Sequence, residues 1–361
     1  MPGVAAAHGG ANGGGGVMRI IYSDAHQGHE GAVELRGETL VPMAECPERM
    51  AAILSALATA GLRDVQAPQH HGLQAAARIH DAGFLQFLET AYPLWLARYG
   101  PGSAAFARSF GMRGMAQTPR MDNVDAMLSA YSFDIFSPIV AGTWTAIRSA
   151  LDVTLTGAGL IQGGAGSVFS LCRPPGHHAS QDLAGGYCYL NNAAIAAQYH
   201  RDQGAARVAI LDIDYHHGNG SQTIFYDRDD VLFVSLHGRP EEEYPFLLGY
   251  ADETGRGPGA GFNLNLPMPP GTRIDAYMAA MQQAAVRIRT HAPDVLIVSL
   301  GVDTFDGDPV GGFCLQTPDY LRLGQAVAKL HLPTQFVMEG GYAVAALGAN
   351  VTNVLTGFLQ G

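Results

Sequence analysis

The sequence predicts an α/β fold with a mostly parallel central sheet and helices on both of its faces. Three observations favour this class. From residue 165 onward, apolar runs of strand length alternate with helical stretches, as they do where helices join parallel strands. The run that begins at Val208 is continuous and apolar, which is typical of a strand buried on both faces. Polar residues and glycines follow the strand-like runs, and in such sheets ligands bind at the carboxyl ends of the strands.

Composition narrows the class of protein. The chain has 361 residues, of which 47% are hydrophobic and 15% charged, enough for a substantial core. No apolar run reaches the length of about 18 residues that a membrane span needs. The net charge of −11 disfavours nucleic-acid binding and favours cationic ligands. The four cysteines are scattered, which fits a reducing cytosol better than a disulfide framework. We therefore expect a cytoplasmic protein without a nucleic-acid or membrane partner.

The first elements are predicted as follows. Residues 1–17 are mostly Gly and Ala, without the charged and apolar regions of a signal peptide, so we expect a flexible tail. The folded part should begin at Met18 with a strand over 18–22. The loop after it carries Asp24, His26 and His29. Their spacing would suit a metal ion, but a solvated loop is the favoured interpretation.

The middle of the chain is predicted to be mainly helical. Alanine- and leucine-rich periodicity indicates helices over 47–61 and about 73–99, the second with a structural histidine at His80. Residues 100–137 show little periodicity. A segment of that length is either disordered or functional, as a lid or an oligomer contact. A further helix is expected from Pro138 to Leu151.

The remainder forms the regular strand–helix alternation, and residues 18–361 are expected to make a single domain. Strands are predicted over 168–172, 208–213, 231–236, 295–300 and 334–338, and helices over 192–203, 274–291 and 317–330.

The strand ends predict a metal site. Asp214 and His216 follow the central strand, and Asp303 follows a strand later in the chain. The spacing Asp-x-His lets both side chains reach one ion, and Asp303 completes the set. Three protein ligands leave a coordination position for water, as catalytic zinc requires. Oxygen and imidazole ligands would also accept Fe²⁺ or Mn²⁺, so zinc is the first choice among three metals.

Acid–base residues are predicted at the same edge. His177 and His178 are adjacent in a loop stiffened by two prolines. Tandem histidines are often accidental, but at a strand end beside a metal an acid–base role is favoured. Such histidines need partners on their far nitrogens, and Asp212 and Asn219 are the candidates. Tyr342 follows two glycines and could donate to a developing oxyanion, although Gly-Gly-Tyr is more often a simple turn.

Taken together, these motifs resemble the histone deacetylase/acetylpolyamine amidohydrolase family, and especially its bacterial acetylpolyamine amidohydrolases. The resemblance runs from Met18 to the C-terminus. It rests on Arg-Pro-Pro-Gly-His-His at 173–178, Gly-Gly-Tyr-Cys-Tyr-Leu-Asn-Asn at 185–192, Asp-Ile-Asp-Tyr-His-His-Gly-Asn-Gly at 212–220, Ser-Leu-Gly-Val-Asp-Thr-Phe at 299–305 and Met-Glu-Gly-Gly-Tyr at 338–342.

The resemblance implies the arginase–deacetylase fold and a role for each matching residue. It implies a zinc ion on Asp214, His216 and Asp303, and a general base, His178, assisted by His177. Tyr342 would polarise the acetyl carbonyl, and Asn219 would orient a histidine. A structural potassium ion would bind Asp212, Ser235 and the Leu236 carbonyl, and the acyl tunnel would be lined by Gly186, Tyr187 and Tyr244.

The resemblance also implies that segment 100–137 is an inserted loop that narrows the channel and forms a homodimer. Its Asp122 and Asp125 are the first candidates for binding the distal ammonium of a polyamine, with residues 241–243 as the second choice.

Three functions follow in order of preference. The first is zinc-dependent hydrolysis of small acetylated polyamines or related acetylated amines, and the second is deacetylation of acetyl-lysine in proteins. The third, a catalytically idle binder of acetylated ligands, is disfavoured because every expected catalytic position is filled.

Overall fold

The computed structural model describes residues 18–111 and 122–361. The tail predicted for residues 1–17 lies outside this range. Within the described residues the strands are β1 (Arg19–Ile21), β2 (Val33–Arg36), β3 (Thr39–Pro42), β4 (Val65–Gln66), β5 (Ser167–Ser170), β6 (Val208–Asp212), β7 (Val231–Gly238), β8 (Asn263–Met268), β9 (Val295–Leu300) and β10 (Thr334–Met338). The α-helices are α1 (Glu48–Thr59), α2 (Ala82–Tyr99), α3 (Val124–Ala130), α4 (Thr143–Gln162), α5 (Asn192–Asp202), α6 (Asn219–Phe225), α7 (Ile274–His291), α8 (Asp319–Ala328) and α9 (Val344–Gln360).

The main sheet is parallel throughout its described strands, in the order β4-β1-β5-β10-β9-β6-β7-β8. Every residue of β6, β9 and β10 is buried, because these strands lie in the middle and are covered on both faces. Asp212 is in register with Ser235 on β7 and Ser299 on β9. The carboxyl ends of the central strands therefore meet at one edge.

Two hydrophobic cores cover the two faces of the sheet. One contains apolar residues of α2, α4 and α5, including Phe84, Ile147 and Ile195. The other contains residues of α1, α7, α8 and α9, including Met50 and Leu355. The predicted parallel sheet with helices on both faces is confirmed.

Several elements were not predicted. The sequence did not predict the antiparallel hairpin of β2 and β3, the edge strand β8 or the last helix α9. Glycines inside α9 weaken its helical signal, but tertiary packing requires two of them. A Cβ on Gly348 would lie 2.3 Å from the Ala52 carbonyl oxygen of α1, and one on Gly357 would lie 2.1 Å from the Leu321 carbonyl oxygen of α8.

The loop after β1 also differs from expectation. His26 and His29 were predicted in a solvated loop, yet each is only 3% exposed. Their carbonyl oxygens accept hydrogen bonds from the Arg173 guanidinium at 2.9 and 2.7 Å, and His29 Nδ1 lies 3.0 Å from the Thr143 hydroxyl. These long-range contacts draw the loop into the interior.

No helix among the described residues is both long and apolar enough to cross a membrane.

Candidate active site

Three side chains predicted as metal ligands converge beyond the carboxyl ends of β6 and β9. One ligand atom from each of Asp214, His216 and Asp303 lies within 4.8 Å of the others. His216 Nδ1 is 3.3 Å from Asp214 Oδ1 and 3.1 Å from Asp303 Oδ2. Backbone amides fix the carboxylates, since Gly340 N–H donates to Asp214 Oδ2 at 2.8 Å and Tyr215 N–H to Asp303 Oδ1 at 2.8 Å.

The chemistry of this cluster fits a divalent metal ion. His216 Nε2 is 3.1 Å from the Val310 carbonyl oxygen. A carbonyl only accepts, so Nε2 carries a hydrogen. In the neutral imidazole, the form that binds a metal, the Nδ1 lone pair then faces the two carboxylates. Burial, and then the charge of Asp214, raise the pKa of Asp303. Two buried carboxylates this close repel each other, and a cation would relieve the repulsion. One imidazole and two carboxylates are ligands that zinc, iron and manganese accept.

The adjacent histidines have different partners. His177 Nδ1 lies 3.0 Å from the Asp212 carboxylate, whereas His178 Nδ1 lies 2.7 Å from the neutral Asn219 amide oxygen. Burial alone would lower the pKa of His177, but Asp212 and Asp214 outweigh it and raise the pKa to about 10. Burial and the charges of His177 and His216 lower the pKa of His178 well below its usual value. The surroundings therefore favour the protonated form of His177 and the neutral form of His178, an arrangement suited to acid–base chemistry.

The loop that carries these histidines is held by a buried carboxylate. Glu339 Oε2 accepts hydrogen bonds from Gly176 N–H at 2.6 Å and His177 N–H at 3.1 Å. A Cβ on Gly176 would lie 2.5 Å from the Asn192 amide nitrogen, so the loop requires glycine there. No role for Glu339 was predicted from the sequence. Its position inside the motif at 338–342 was the available signal.

Tyr342 is held from two sides. The Arg49 guanidinium lies 4.7 Å from the centre of its ring and donates from Nε to the Gly341 carbonyl oxygen at 2.7 Å. On the other side, Asp308 Oδ2 accepts from Tyr342 N–H at 2.7 Å. The Tyr342 ring reaches a cavity that His178 and His216 also line. Neither Arg49 nor Asp308 was assigned a role from sequence.

That cavity has a volume of about 290 Å³ and aromatic walls. Tyr187 and Tyr244, predicted as the tunnel walls, both line it, as do Gly186 and Phe136. The Tyr187 hydroxyl donates to Glu34 Oε2 at 2.6 Å, and the Tyr244 hydroxyl donates to an Asp134 oxygen at 2.5 Å. These bonds fix both rings and leave a narrow apolar passage.

Charged residues at the cavity differ from those predicted. Glu34, Arg36 and Glu243 line it, whereas Asp122 and Asp125 do not. Asp122 is exposed. Asp125 accepts from the Tyr99 hydroxyl at 2.8 Å and pairs with Arg98 at 3.0 Å and Arg108 at 3.8 Å. The first candidates for ammonium binding are thus not brought to the cavity of this chain, while Glu243, from the second choice, is.

The residues predicted for a structural potassium site adjoin the candidate metal ligands. Asp212 and Ser235 are register partners on β6 and β7, and Leu236 follows on β7. All three are fully buried. Asp212 Oδ1 accepts from Asp214 N–H at 3.2 Å, which links this position to the metal ligands.

Known proteins are similar to this chain in sequence over nearly its full length, and a solved structure is similar in fold. The chain is 52% identical over 341 residues to acetylpolyamine amidohydrolase 2 of Pseudomonas aeruginosa, covering 94% of this chain and 98% of that protein. It is 47% identical over 341 residues to the acetylpolyamine amidohydrolase of Mycoplana ramosa, covering 94% and 99%. A crystal structure of the acetylpolyamine aminohydrolase of Burkholderia pseudomallei superposes with a TM-score of 0.89 at 39% identity, covering 94% of this chain and 98% of that one.

The arginase–deacetylase fold expected from the motifs is confirmed by this superposition. A model of the histone deacetylase domain matches residues 43–358. The chain therefore belongs to the histone deacetylase family.

Proposed function

We propose that this chain is a zinc-dependent amidohydrolase that removes acetyl groups from acetylated polyamines or related small acetylated amines. The observation that carries the proposal is the convergence at one narrow aromatic cavity of the Asp214, His216 and Asp303 cluster, the His178 imidazole and the Tyr342 ring. The names of the relatives, acetylpolyamine amidohydrolases, support the substrate class.

The proposed roles follow from the protonation states and contacts. Zinc on Asp214, His216 and Asp303 would supply Lewis-acid polarisation of the acetyl carbonyl and of the attacking water. His178 donates from Nδ1 to Asn219, so its Nε2 is free to accept a proton from water. The Tyr342 hydroxyl donates to the carbonyl oxygen as negative charge develops there.

His177 has a different part in the reaction. The Asp212 carboxylate keeps its imidazole protonated at neutral pH, so it stabilises negative charge at the reacting centre. A protonated histidine of the pair then donates to the amine nitrogen as the C–N bond breaks. We further propose that a potassium ion bound by Asp212, Ser235 and the Leu236 carbonyl supports this edge of the sheet.

Glu243 is the better carboxylate for the distal ammonium of an acetylated diamine. Glu34 also lines the cavity, but it pairs with Arg36 at 2.5 Å and accepts from the Tyr187 hydroxyl. Glu243 is half-buried and has no ion-pair partner within 4 Å in the described part of the chain. An ammonium gains more binding free energy from a partly desolvated carboxylate that has no ion-pair partner than from a carboxylate on an open surface.

Substrate choice is tested by comparing kcat/KM on one metal-reconstituted preparation. The substrates are acetylputrescine, acetylcadaverine, acetylspermidine and an acetyl-lysine peptide. We expect the acetylated polyamines to have the higher kcat/KM. Preference for the peptide would support a protein deacetylase instead, and tight binding without turnover would support the idle binder.

The role of Glu243 makes a separate prediction. Glu243→Gln should raise KM for acetylputrescine by roughly 3- to 10-fold, since it removes one partly desolvated charge pair. An uncharged acetamide of equal length should be unaffected. The matched controls are Glu241→Gln and Asp125→Asn. Glu241 is exposed in the same segment, and Asp125 pairs with arginines away from the cavity. Equal responses of the two substrates would remove Glu243 from ammonium recognition.

A further inference from the structure

Asp308 collects hydrogen bonds at a junction between two parts of the site. It lies in the segment after β9 and is only 6% exposed. Its Oδ2 accepts from Tyr342 N–H at 2.7 Å and from Ala343 N–H at 2.9 Å. Its Oδ1 accepts from Val310 N–H at 3.2 Å. One buried carboxylate thus satisfies three backbone donors.

The turn that Asp308 closes also reaches the metal-ligand cluster. The Val310 carbonyl oxygen accepts from His216 Nε2 at 3.1 Å. This bond selects the tautomer whose Nδ1 faces Asp214 and Asp303. A chain of short contacts therefore joins His216 to Tyr342 through Val310 and Asp308.

An ionised carboxylate suits this junction. Asp308 lies beside the first turn of α9, which begins at Val344, and a negative charge is favourable at the positive end of a helix. Hydrogen bonds from backbone N–H groups to a carboxylate are also stronger than those to a neutral amide. An asparagine amide could accept from one side only and would present N–H groups to the donors on the other.

We propose that Asp308 is a positioning residue that sets the location of the Tyr342 hydroxyl relative to the metal-ligand histidine His216. The kinetic test of this proposal rests on the function proposed above. The metal-binding test does not depend on activity. Asp308 is neither a lining residue of the cavity nor a member of the Asp214, His216 and Asp303 cluster. It acts through the backbone of Tyr342 and through the Val310 carbonyl.

A double-mutant cycle tests the link to Tyr342. At saturating metal, Asp308→Asn should lower kcat by roughly 10- to 100-fold, the usual effect of losing a partner that orients a site residue. In a Tyr342→Phe background, where no hydroxyl remains to be positioned, the same change should lower kcat by less than about threefold. Equal losses in the two backgrounds would overturn the link.

Metal affinity tests the link to His216 without any turnover. In a competition with a chelator, Asp308→Asn should weaken Zn²⁺ binding by roughly 10-fold or more, with or without Tyr342. Asp306→Asn is the matched control because Asp306 lies in the same segment but is exposed and bonds to Gln316. Unchanged Zn²⁺ affinity in a folded Asp308→Asn protein would overturn this link.

Asp308→Glu provides a second variant if Asp308→Asn does not fold. It keeps the charge but displaces the carboxylate by about one bond length, so it should show the same non-additivity with Tyr342→Phe. If the wild-type protein binds Zn²⁺ but hydrolyses none of the acetylated amines, the proposed function fails while the effect of Asp308 on metal affinity is still measured.

Discussion

At the scale of single residues, the partner of a side chain determines its chemistry. His177 and His178 are neighbours in sequence with ring centres 4.0 Å apart. One faces the Asp212 carboxylate and the other the Asn219 amide. Burial lowers the pKa of His178, whereas at His177 the Asp212 and Asp214 carboxylates outweigh burial and raise the pKa. The sequence identified both partners but did not assign them, because adjacency does not reveal which way each ring points.

The first prediction at this scale concerns Tyr342. Tyr342→Phe should lower kcat by roughly 10²- to 10³-fold while KM changes little, because in the proposed mechanism the hydroxyl acts on charge that develops only in the transition state. The measurement is steady-state kinetics with acetylputrescine. Tyr187→Phe is the control, since the Tyr187 hydroxyl bonds to Glu34 and should affect KM more than kcat. A rise in KM with normal kcat for Tyr342→Phe would make Tyr342 a binding residue only.

The second concerns Asp303. Asp303→Ala removes one of three converging candidate ligands and should weaken metal binding by at least about 100-fold, with activity lost in parallel. Metal content after dialysis, measured by mass spectrometry, checks this. The exposed Asp306, altered to Ala, should retain both metal and activity. Normal metal content and turnover in Asp303→Ala would exclude Asp303 from the ligand set.

At the scale of elements, a buried charge network docks α1 against the site. Glu45 lies just before α1 and accepts from Arg49 at 2.9 Å and from Arg173 at 2.8 Å. Arg49 in turn donates to the Glu339 and Gly341 carbonyl oxygens. One carboxylate therefore holds two arginines, one of which supports the segment that carries Tyr342.

Glu45→Gln should therefore destabilise the protein by roughly 3–5 kcal/mol, because it leaves two buried guanidinium groups without a counter-charge. Urea unfolding followed by circular dichroism measures the free energy of unfolding. Glu48→Gln, at the exposed start of α1, should change it by less than about 0.5 kcal/mol. A loss below about 1 kcal/mol for Glu45→Gln would contradict the proposed importance of this network.

At the scale of the whole molecule, the parallel sheet gathers residues that are far apart in sequence. Residues that follow β5, β6, β9 and β10 reach one cavity because all four strands end at the same edge. His80, a buried histidine away from this edge, contributes to stability instead. His80 Nε2 accepts from Asn191 N–H at 3.0 Å, which holds the end of the loop before α5 and requires an Nε2 without a hydrogen.

Global stability should therefore depend on pH through His80. Burial lowers the pKa of His80 from 6.5 to about 4. As pH falls, His80 is protonated in the unfolded chain before it is protonated in the folded one. Its contribution to the free energy of unfolding is therefore fully present above about pH 6.5 and is lost as pH falls toward about 4. The slope from one such group approaches about 1.4 kcal/mol per pH unit.

Unfolding free energies at pH 7, 6 and 5 test this expectation. His80→Gln, which keeps an acceptor for Asn191 N–H, should remove this part of the slope, whereas His70→Gln at the exposed surface should not. Identical slopes for the wild-type protein and His80→Gln would show that His80 does not titrate in this range.

The sequence by itself determined the parallel sheet and much of the candidate site. Buried parallel strands appear as short apolar runs, and polar residues directly after them must meet at one edge. That local pattern alone predicts as site residues Asp214, His216, Asp303, the two adjacent histidines and Tyr342.

Only the tertiary structure decided which other residues support or surround that site. Asp125 pairs with arginines instead of reaching the cavity, and Glu34 reaches it from a hairpin without a clear local pattern. Helix α9 was not predicted because its glycines are unfavourable in an isolated helix. In the folded protein they let α9 pack closely on α1 and α8. Glu45, Asp308 and Glu339 act through hydrogen bonds to distant segments. Such partners depend on how the chain folds back on itself, and no local periodicity records them.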